Sequence, residues 1–429
     1  MFKRQNIRGL IALSPLLFFI AIYLIVSIVM KDFYAVPITV AFLLSCVYAI
    51  VIMIHTPLEE RIKSFVKGTT DYNLMLMVWI FVLAGAFAGS AKAMGSVDAT
   101  VNLCLMLLPG WMIMAGLFIA ACFISLAIGT SVGTIVALTP IAVGIAQQCG
   151  ANTALLTAVI VGGAFFGDNL SFISDTTIVA TTTQGCKLSD KFKANSFIVM
   201  PAAVVICAVY LVIGQDMPAP QNTESINVWK VIPYITVIIT AVCGVNVLVV
   251  LALGAALTGI IGIIDGAYDI FGWFKSMSDG IIGMGELIII TLLASGLLAL
   301  IKANGGIDVL IRGITSKISG KRGAYFSIAA LVTLVDVCTA NNTVAIITTG
   351  GIAKQISDRY QLDSRKCASI LDTMSCFAQG LIPYGAQVMM GAALAGITPF
   401  AIVPYLYYPM AIGIACILSI IFRYPRRYA

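Results

Sequence analysis

Long apolar stretches separated by short polar segments dominate the chain. Most have about the 20 residues that an α-helix needs to cross a bilayer. The apolar stretches are residues 10–30, 35–54, 74–91, 111–147, 154–183, 197–213, 231–245, 247–264, 281–301, 324–355, 368–395 and 402–422. Two of them, 111–147 and 324–355, are too long for one crossing helix and too short for two full helices with a loop. The pattern predicts an all-α membrane protein with many spans.

One polar interruption lies deep inside an apolar stretch, at residues 161–177. It contains Asp168 and Asp175 together with asparagine, serine and threonine side chains. Each unpaired backbone group in hydrocarbon is costly, so a helix break at this depth survives only where it lines a cavity. A charged residue at a helix centre costs roughly 2.5–3.5 kcal/mol on insertion scales. The segment predicts a functional site within the membrane; the alternative is a loop at the membrane surface.

The chain also resembles itself at a spacing of about 210 residues. Residues 92–98, 129–135 and 168–175 match residues 302–308, 340–346 and 379–386 in the same order. Three ordered matches at nearly one spacing predict an internal duplication. The predicted units are an N-terminal helix (1–35), a first repeat (36–190), linking helices (191–246), a second repeat (247–397) and a C-terminal helix (398–429).

The charges between the apolar stretches indicate how the two repeats are oriented. Segments 59–67, 184–193 and 353–367 are basic, whereas their counterparts at 265–279, around 396 and at 142–153 are acidic or neutral. Basic loops stay in the cytoplasm, so the charges predict repeats of opposite orientation. The two long stretches must then enter and leave on one side, as re-entrant hairpins with tips at 129–134 and 339–343. This gives about ten crossing helices plus two hairpins, with both termini cytoplasmic.

Composition agrees with this class. The chain is 60% hydrophobic and 10% charged, whereas soluble domains carry about 25% charged residues. The net charge of +6 comes from short basic segments, which is a topology signal and predicts no nucleic-acid partner. The eleven cysteines show no metal-ligand spacing, so neither disulfides nor a bound cofactor are predicted.

Each repeat supplies a polar hairpin tip and a polar helix break, and such pairs tend to meet near the bilayer midplane. Carboxylates, hydroxyls, amides and freed carbonyls together form a hard-oxygen site for a small cation. A carboxylate there can hold a proton or a cation but hardly both, which permits exchange. The candidate cation and proton ligands are Thr130, Ser131, Thr134, Asp168, Asn169, Ser171, Ser174, Asp175, Thr176, Asp336, Thr339, Asn341, Asn342, Thr343, Asp372 and Gln379. Asp168 and Asp175 are the predicted ligands of a transported Na⁺.

Residues 163–177, GAFFGDNLSFISDTT, resemble the signature of the NhaC family of Na⁺/H⁺ antiporters, G-D-x-x-S-P-[IL]-S-D-T-T. Residues 129–134, GTSVGT, resemble the preceding G-T-S-x-G-T element of that family. The resemblance implies a homodimeric secondary transporter of the plasma membrane that exchanges Na⁺ for H⁺ by an elevator-like movement. Phe172 stands where the signature has proline, and residues 339–343 look more like the tips of dicarboxylate carriers in the same ion-transporter superfamily.

Three other functions stay open. Relatives of this family also exchange organic acids or carry amino acids, so a Na⁺- or H⁺-coupled carrier of a small organic solute is the first alternative. An intramembrane aspartyl protease also uses two buried aspartates, but Phe165 occupies the place of the first glycine in its Gly-x-Gly-Asp motif. A channel would fit the hairpins, although the chemical asymmetry between the two helix breaks suits coupled binding better.

Overall fold

The computed structural model describes residues 2–30, 38–172, 174–215, 217, 227–243, 245–315 and 318–428. Within these ranges the chain forms helices and no β-strand. The start of the predicted stretch 35–54 and Ile173 in the polar interruption lie outside the described residues.

The fold is a sequence of helices joined by short connections. The helices are α1 (Phe2–Met30), α2 (Ile38–Ile52), α3 (Leu58–Thr69), α4 (Tyr72–Met94), α5 (Ser96–Leu107), α6 (Ile113–Ile128), α7 (Ser131–Cys149), α8 (Thr153–Leu170), α9 (Asp175–Gln184), α10 (Leu188–Gly214), α11 (Val228–Val242), α12 (Val247–Ile264), α13 (Ile270–Gly283), α14 (Gly285–Ala303), α15 (Gly306–Thr315), α16 (Gly320–Thr339), α17 (Asn342–Tyr360), α18 (Ser364–Leu381), α19 (Ala386–Ala395), α20 (Pro399–Ile402) and α21 (Tyr407–Ile421). Among the described residues, eight helical stretches are long and apolar enough to cross a membrane, or nine if a bent pair counts as one span. The chain is therefore an all-α, multi-span membrane protein, as its hydrophobic pattern predicts.

The two over-long apolar stretches are each divided near the middle. Gly129, with φ +75°, and the extended Thr130 separate α6 from α7. Ala340, with φ +50°, and the extended Asn341 separate α16 from α17. At the far end of α17, the Tyr360 hydroxyl donates to the carbonyl of Ile318, just before α16 (3.3 Å). The outer ends of α16 and α17 therefore lie side by side, as a helical hairpin requires.

The boundaries of the helices follow one internal spacing. α8 ends at Leu170 and α18 at Leu381, which is 211 residues later. The same spacing separates the bounds of α7 from those of α17, and the bounds of α9 from those of α19. The repeated sequence elements thus form repeated local structures. The opposite orientation of the two repeats across a membrane stays a prediction.

Five segments that the charge pattern treats as loops are largely helical, so that part of the prediction was wrong. Residues 59–67 lie within α3, most of 265–279 lies in α13, and 353–367 belongs to α17 and α18 apart from residues 361–363. Most of 142–153 lies in α7, and most of 184–193 lies in α10. Glycines let α3 and α13 pack tightly on other helices. A Cβ on Gly68 would lie 2.7 Å from the Ser295 carbonyl oxygen, and one on Gly280 would lie 2.0 Å from that of Gly85.

Helix α8 forms the centre of the protein, because every residue from Ala154 to Leu170 is buried. Helix α6 approaches it closely at two glycines, Gly163 and Gly167. The Ser125 hydroxyl of α6 donates to the Ala164 carbonyl of α8 (2.5 Å). This close contact sets the first hairpin tip beside the end of α8.

We expect Gly167→Ala to lower the free energy of unfolding by about 1–3 kcal/mol, the usual cost of overpacking a core. The added methyl carbon would lie 2.1 Å from the Ser125 hydroxyl oxygen and 2.3 Å from its carbonyl carbon, so α6 and α8 must separate. The matched control is Gly351→Ala, where an added Cβ meets nothing within 4 Å. Thermal unfolding of the purified protein measures both; equal midpoints for the two variants would contradict the packing argument.

Candidate functional site

The first helix break is held open by side chains that satisfy the freed backbone groups. The Ser171 hydroxyl donates to the Leu126 carbonyl on the first hairpin (2.8 Å). The hydroxyls of Thr176 and Thr177 donate to the main-chain carbonyl of Asp168 (3.0 and 3.1 Å). Backbone groups that lose helical partners in a membrane need such replacements. The break is therefore a specified structural feature.

The break forms without the proline of the family signature. Phe172 is 48% exposed, and its ring stacks on Phe192 of α10 with centroids 4.8 Å apart. The hydroxyl groups of Ser171, Thr176 and Thr177 stabilise the end of α8 and the start of α9 in place of a proline. The departure at Phe172 thus leaves the broken geometry intact.

Asp168 lies where the first hairpin tip meets the first break. Its side chain is 4% exposed, and its Oδ1 accepts from the backbone N–H of Ser131 (3.2 Å). Ser131 is the first residue of α7. The carboxylate therefore sits at the positive end of a helix dipole, which stabilises negative charge.

A chain of side-chain hydrogen bonds joins this tip to the second tip. Gln387 donates through Nε2 to the Ser131 hydroxyl (3.0 Å). Gln379 donates through Nε2 to the Gln387 Oε1 (2.9 Å) and to the Ala340 carbonyl (3.0 Å). The Gln379 Oε1 is buried and has no hydrogen-bond partner among the described residues. It remains available as an acceptor or a cation ligand.

These groups surround a cavity of about 140 Å³. Ten of the predicted site residues line it: Thr130, Ser131, Asp168, Ser174, Asp175, Thr176, Asn341, Asn342, Thr343 and Gln379. Gln387, which the sequence reasoning missed, lines it as well. Among the described residues of its lining, Asp168 and Asp175 are the charged ones. The arrangement is a small acidic site built from oxygen and amide groups.

The other six predicted residues lie outside this lining. Thr134 and Asn169 bond within their own helices, Thr134 to the Thr130 carbonyl and Asn169 to the Phe165 carbonyl. Ser171 holds the break, and Thr339 lines a second, larger cavity. The remaining two are Asp336 and Asp372.

Asp372 forms a fully buried ion pair with Lys191 of α10. The Lys191 ammonium also donates to the Asn169 carbonyl (2.6 Å) and to the Thr177 hydroxyl (2.8 Å). It thereby ties the first helix break to α18 of the second repeat. The charge pattern counts Lys191 as a loop residue, and that is wrong. No sequence signal separates it from the nearby lysines of the same basic segment.

Lys366 is a second basic residue that the charge pattern places in a loop and the structure buries. It is 2% exposed, and its ammonium donates to the carbonyls of Ser419 (3.2 Å) and Tyr424 (3.1 Å). The charged ammonium group therefore holds the C-terminal end of α21 against α18. Lys366 is therefore a poor reporter of which side of the membrane its segment faces.

Asp336 is fully buried in α16, close to the second tip. Neither of its carboxylate oxygens has a hydrogen-bond partner among the described residues. A buried charge without a partner is strongly unfavourable, so such a group is stable only as the neutral acid or beside a cation. Asp336 does not line the cation cavity, although Gln379 and Asn341, whose backbones lie next to its carboxylate, do.

The sequence model of the Na⁺/H⁺ antiporter family matches residues 7–214 and 220–425. The malate-2H⁺/Na⁺-lactate antiporter of Bacillus subtilis is 24% identical and is matched over 94% of each chain. The Na⁺/H⁺ antiporter NhaC of Alkalihalophilus pseudofirmus is 23% identical over 91% of this chain and 89% of its own length. The arginine/ornithine antiporter ArcD of Halobacterium salinarum is 22% identical over 66% of each.

Among solved structures, the Alcanivorax borkumensis YdaH transporter aligns with a TM-score of 0.43 and 12% identity, over 86% of this chain and 90% of its own. The family match extends over both repeats and the helices between them. The named relatives with full-length matches are antiporters rather than enzymes. The chain therefore belongs to the Na⁺/H⁺ antiporter family.

Proposed function

We propose that this protein exchanges Na⁺ for H⁺, with the Asp168 carboxylate as the ligand that the two ions share. The observation that carries the proposal is the meeting of Asp168 with the unpaired Gln379 Oε1 at one small cavity. Carboxylate, hydroxyl and amide oxygens are the donors that hard cations prefer. The transported ions are the cargo, and the proposal needs no bound cofactor.

The charges around the cavity support a competition between the two ions. Asp168 is buried, and the nearby Lys191 ammonium is already engaged by Asp372. One positive charge is therefore needed at Asp168, and either a proton or a Na⁺ can supply it. Asp175, the first residue of α9, is exposed and lines the same cavity, so it is placed to receive the cation on entry.

An elevator-type movement of the site is part of the proposal. The tips and breaks belong to α6–α9 and α16–α19, whereas the facing wall of the cavity consists of Leu76, Met77 and Ile80 on α4. An apolar wall has no hydrogen bonds to break when the site slides past it. In this scheme the repeats are inverted, the termini are cytoplasmic, and the protein is a homodimer in the plasma membrane.

A second candidate function is coupled transport of a small organic solute. One relative is named for malate and lactate, and another for arginine and ornithine. The cavity at Asp168 has about 140 Å³, whereas pockets for organic ligands usually have about 300–1,000 Å³. A bare cation therefore suits this cavity better than an organic solute does.

The proposal predicts a definite pH dependence. Because H⁺ and Na⁺ compete for one carboxylate, the half-saturating Na⁺ concentration should rise as pH falls, by up to about tenfold per pH unit while the proton is bound. Initial rates of Na⁺-driven proton movement in proteoliposomes, measured across a range of Na⁺ concentrations at each pH, test this. A half-saturating concentration that stays constant between about pH 6 and 9, the range that a strongly shifted carboxylate reaches, would place the coupling elsewhere.

A further inference from the structure

A second cavity, of about 460 Å³, adjoins the cation cavity. The two share Met77, Asn341 and Ala386 in their linings, so the second hairpin tip forms the boundary between them. A volume of this size falls in the range of organic-ligand pockets, about 300–1,000 Å³. This volume is far larger than a dehydrated Na⁺ requires, so binding of Na⁺ alone does not explain the cavity.

The charge of this cavity favours an anion. Lys67 of α3 and Lys302 of α14 line it, and both are exposed. Neither lysine takes part in an ion pair within the described part of the chain. The acidic residue of the lining, Asp71, accepts from the Leu74 N–H (3.4 Å) at the start of α4. Among the described residues of the lining, two lysines and one aspartate give this cavity a net positive charge.

The second hairpin tip adds hydrogen-bond donors to the same cavity. Asn341 accepts through Oδ1 from the Val344 N–H (3.0 Å), which leaves its NH₂ group as the side-chain donor. Thr339 lines the cavity beside it. The tip also begins α17, a helix of 19 residues whose N-terminal end carries partial positive charge. The larger cavity is therefore lined by two lysines on one side and by hydrogen-bond donors of the second hairpin tip on the other.

We propose that this cavity binds a small organic anion with one or two carboxylate groups. The inference rests on the proposed Na⁺ site, because a carboxylate held at Asn341 and a Na⁺ in the adjoining cavity would favour each other's binding electrostatically. The two lysines provide the countercharge for the carboxylates and repel cationic solutes. In this proposal the protein transports an organic anion, by co-transport or exchange, in addition to exchanging Na⁺ for H⁺ at Asp168.

The test uses the full-length protein in proteoliposomes with an imposed Na⁺ gradient and radiolabelled L-malate, L-lactate or L-arginine. We expect saturable, Na⁺-dependent flux of at least one of the two carboxylates and none of arginine. Lys67→Gln and Lys302→Gln should each raise the half-saturating carboxylate concentration about tenfold, the usual effect of losing a hydrogen bond to a charged group. Both variants should retain Na⁺/H⁺ exchange measured without any organic solute.

The matched control is Lys92→Gln. Lys92 ends α4 as Lys302 ends α14, is exposed, and lies outside the cavity lining. It should leave the carboxylate affinity unchanged. Vesicles that exchange Na⁺ for H⁺ but move neither carboxylate above the protein-free level would overturn the inference, as would flux of arginine alone. Carboxylate flux without any Na⁺/H⁺ exchange would support the anion cavity and contradict the proposed ion exchange.

Discussion

Asp168→Asn is expected to fold normally and to lose Na⁺/H⁺ exchange by about a hundredfold or more. Asparagine keeps the shape of the side chain and can still accept from the Ser131 N–H, so the first tip and the break should stay in place. It removes the negative charge that H⁺ and Na⁺ share. Deleting one partner of a buried charge interaction costs roughly 2–5 kcal/mol, which corresponds to between one and four powers of ten in affinity.

The matched control for this variant is Asp358→Asn. Asp358 undergoes the same chemical change at an exposed position, where it pairs with Lys354 one helical turn away (2.7 Å). Its exchange rate should equal that of the wild type. Elution as a single species in size-exclusion chromatography establishes that both proteins fold. A folded Asp168→Asn protein with wild-type exchange would remove Asp168 from the mechanism.

Lys191→Met is expected to lower the free energy of unfolding by about 3–5 kcal/mol, the usual effect of breaking a buried ion pair. The substitution leaves Asp372 as an uncompensated charge in the centre of the protein. It also removes one of two donors to the Asn169 carbonyl next to the first break, the other being the Asn195 amide. Thermal unfolding should therefore shift to a lower midpoint, and Na⁺/H⁺ exchange should fall because the break loses one of the contacts that hold it.

A double variant separates the charge effect from the loss of packing. Lys191→Met with Asp372→Leu replaces the ion pair by apolar side chains, a change that is often neutral or stabilising. We expect it to recover most of the lost stability, although the break still lacks its ammonium donor. The control Lys193→Met lies two residues along α10 and is exposed, so it should have little effect. A single variant as stable as the wild type, or a double variant less stable than the single one, would contradict the assignment.

The sequence predicted the helices and the place of the site because both depend on local patterns. Apolar length defines the spans, and the helix ends at Leu170 and Leu381 fall where polar residues interrupt apolar stretches. The spacing that relates the repeats also contained a signal for Gln387. It is the counterpart of Thr176, one position beyond the matched segment, and both residues line the cavity.

The contacts between distant parts of the chain could not be predicted in the same way. Lys191 and Asp372 lie 181 residues apart, and neither periodicity nor spacing connects them. In a single sequence, a buried lysine in a basic segment looks the same as an exposed one. The short helices α3 and α13 do not follow from the charge pattern, because counting charges ignores the helical spacing of the apolar residues between them. Charge alone therefore identified polar segments without revealing which of their residues are buried.

The central claim, that this protein exchanges Na⁺ for H⁺ at Asp168, is tested most directly in proteoliposomes that contain a pH-sensitive dye and no organic solute. Adding Na⁺ outside should drive Na⁺ inward and H⁺ outward, so the lumen should become alkaline with the wild-type protein and remain unchanged with Asp168→Asn. Choline in place of Na⁺ should give no response. A folded wild-type protein that leaves the lumenal pH unchanged on addition of Na⁺ would contradict the account.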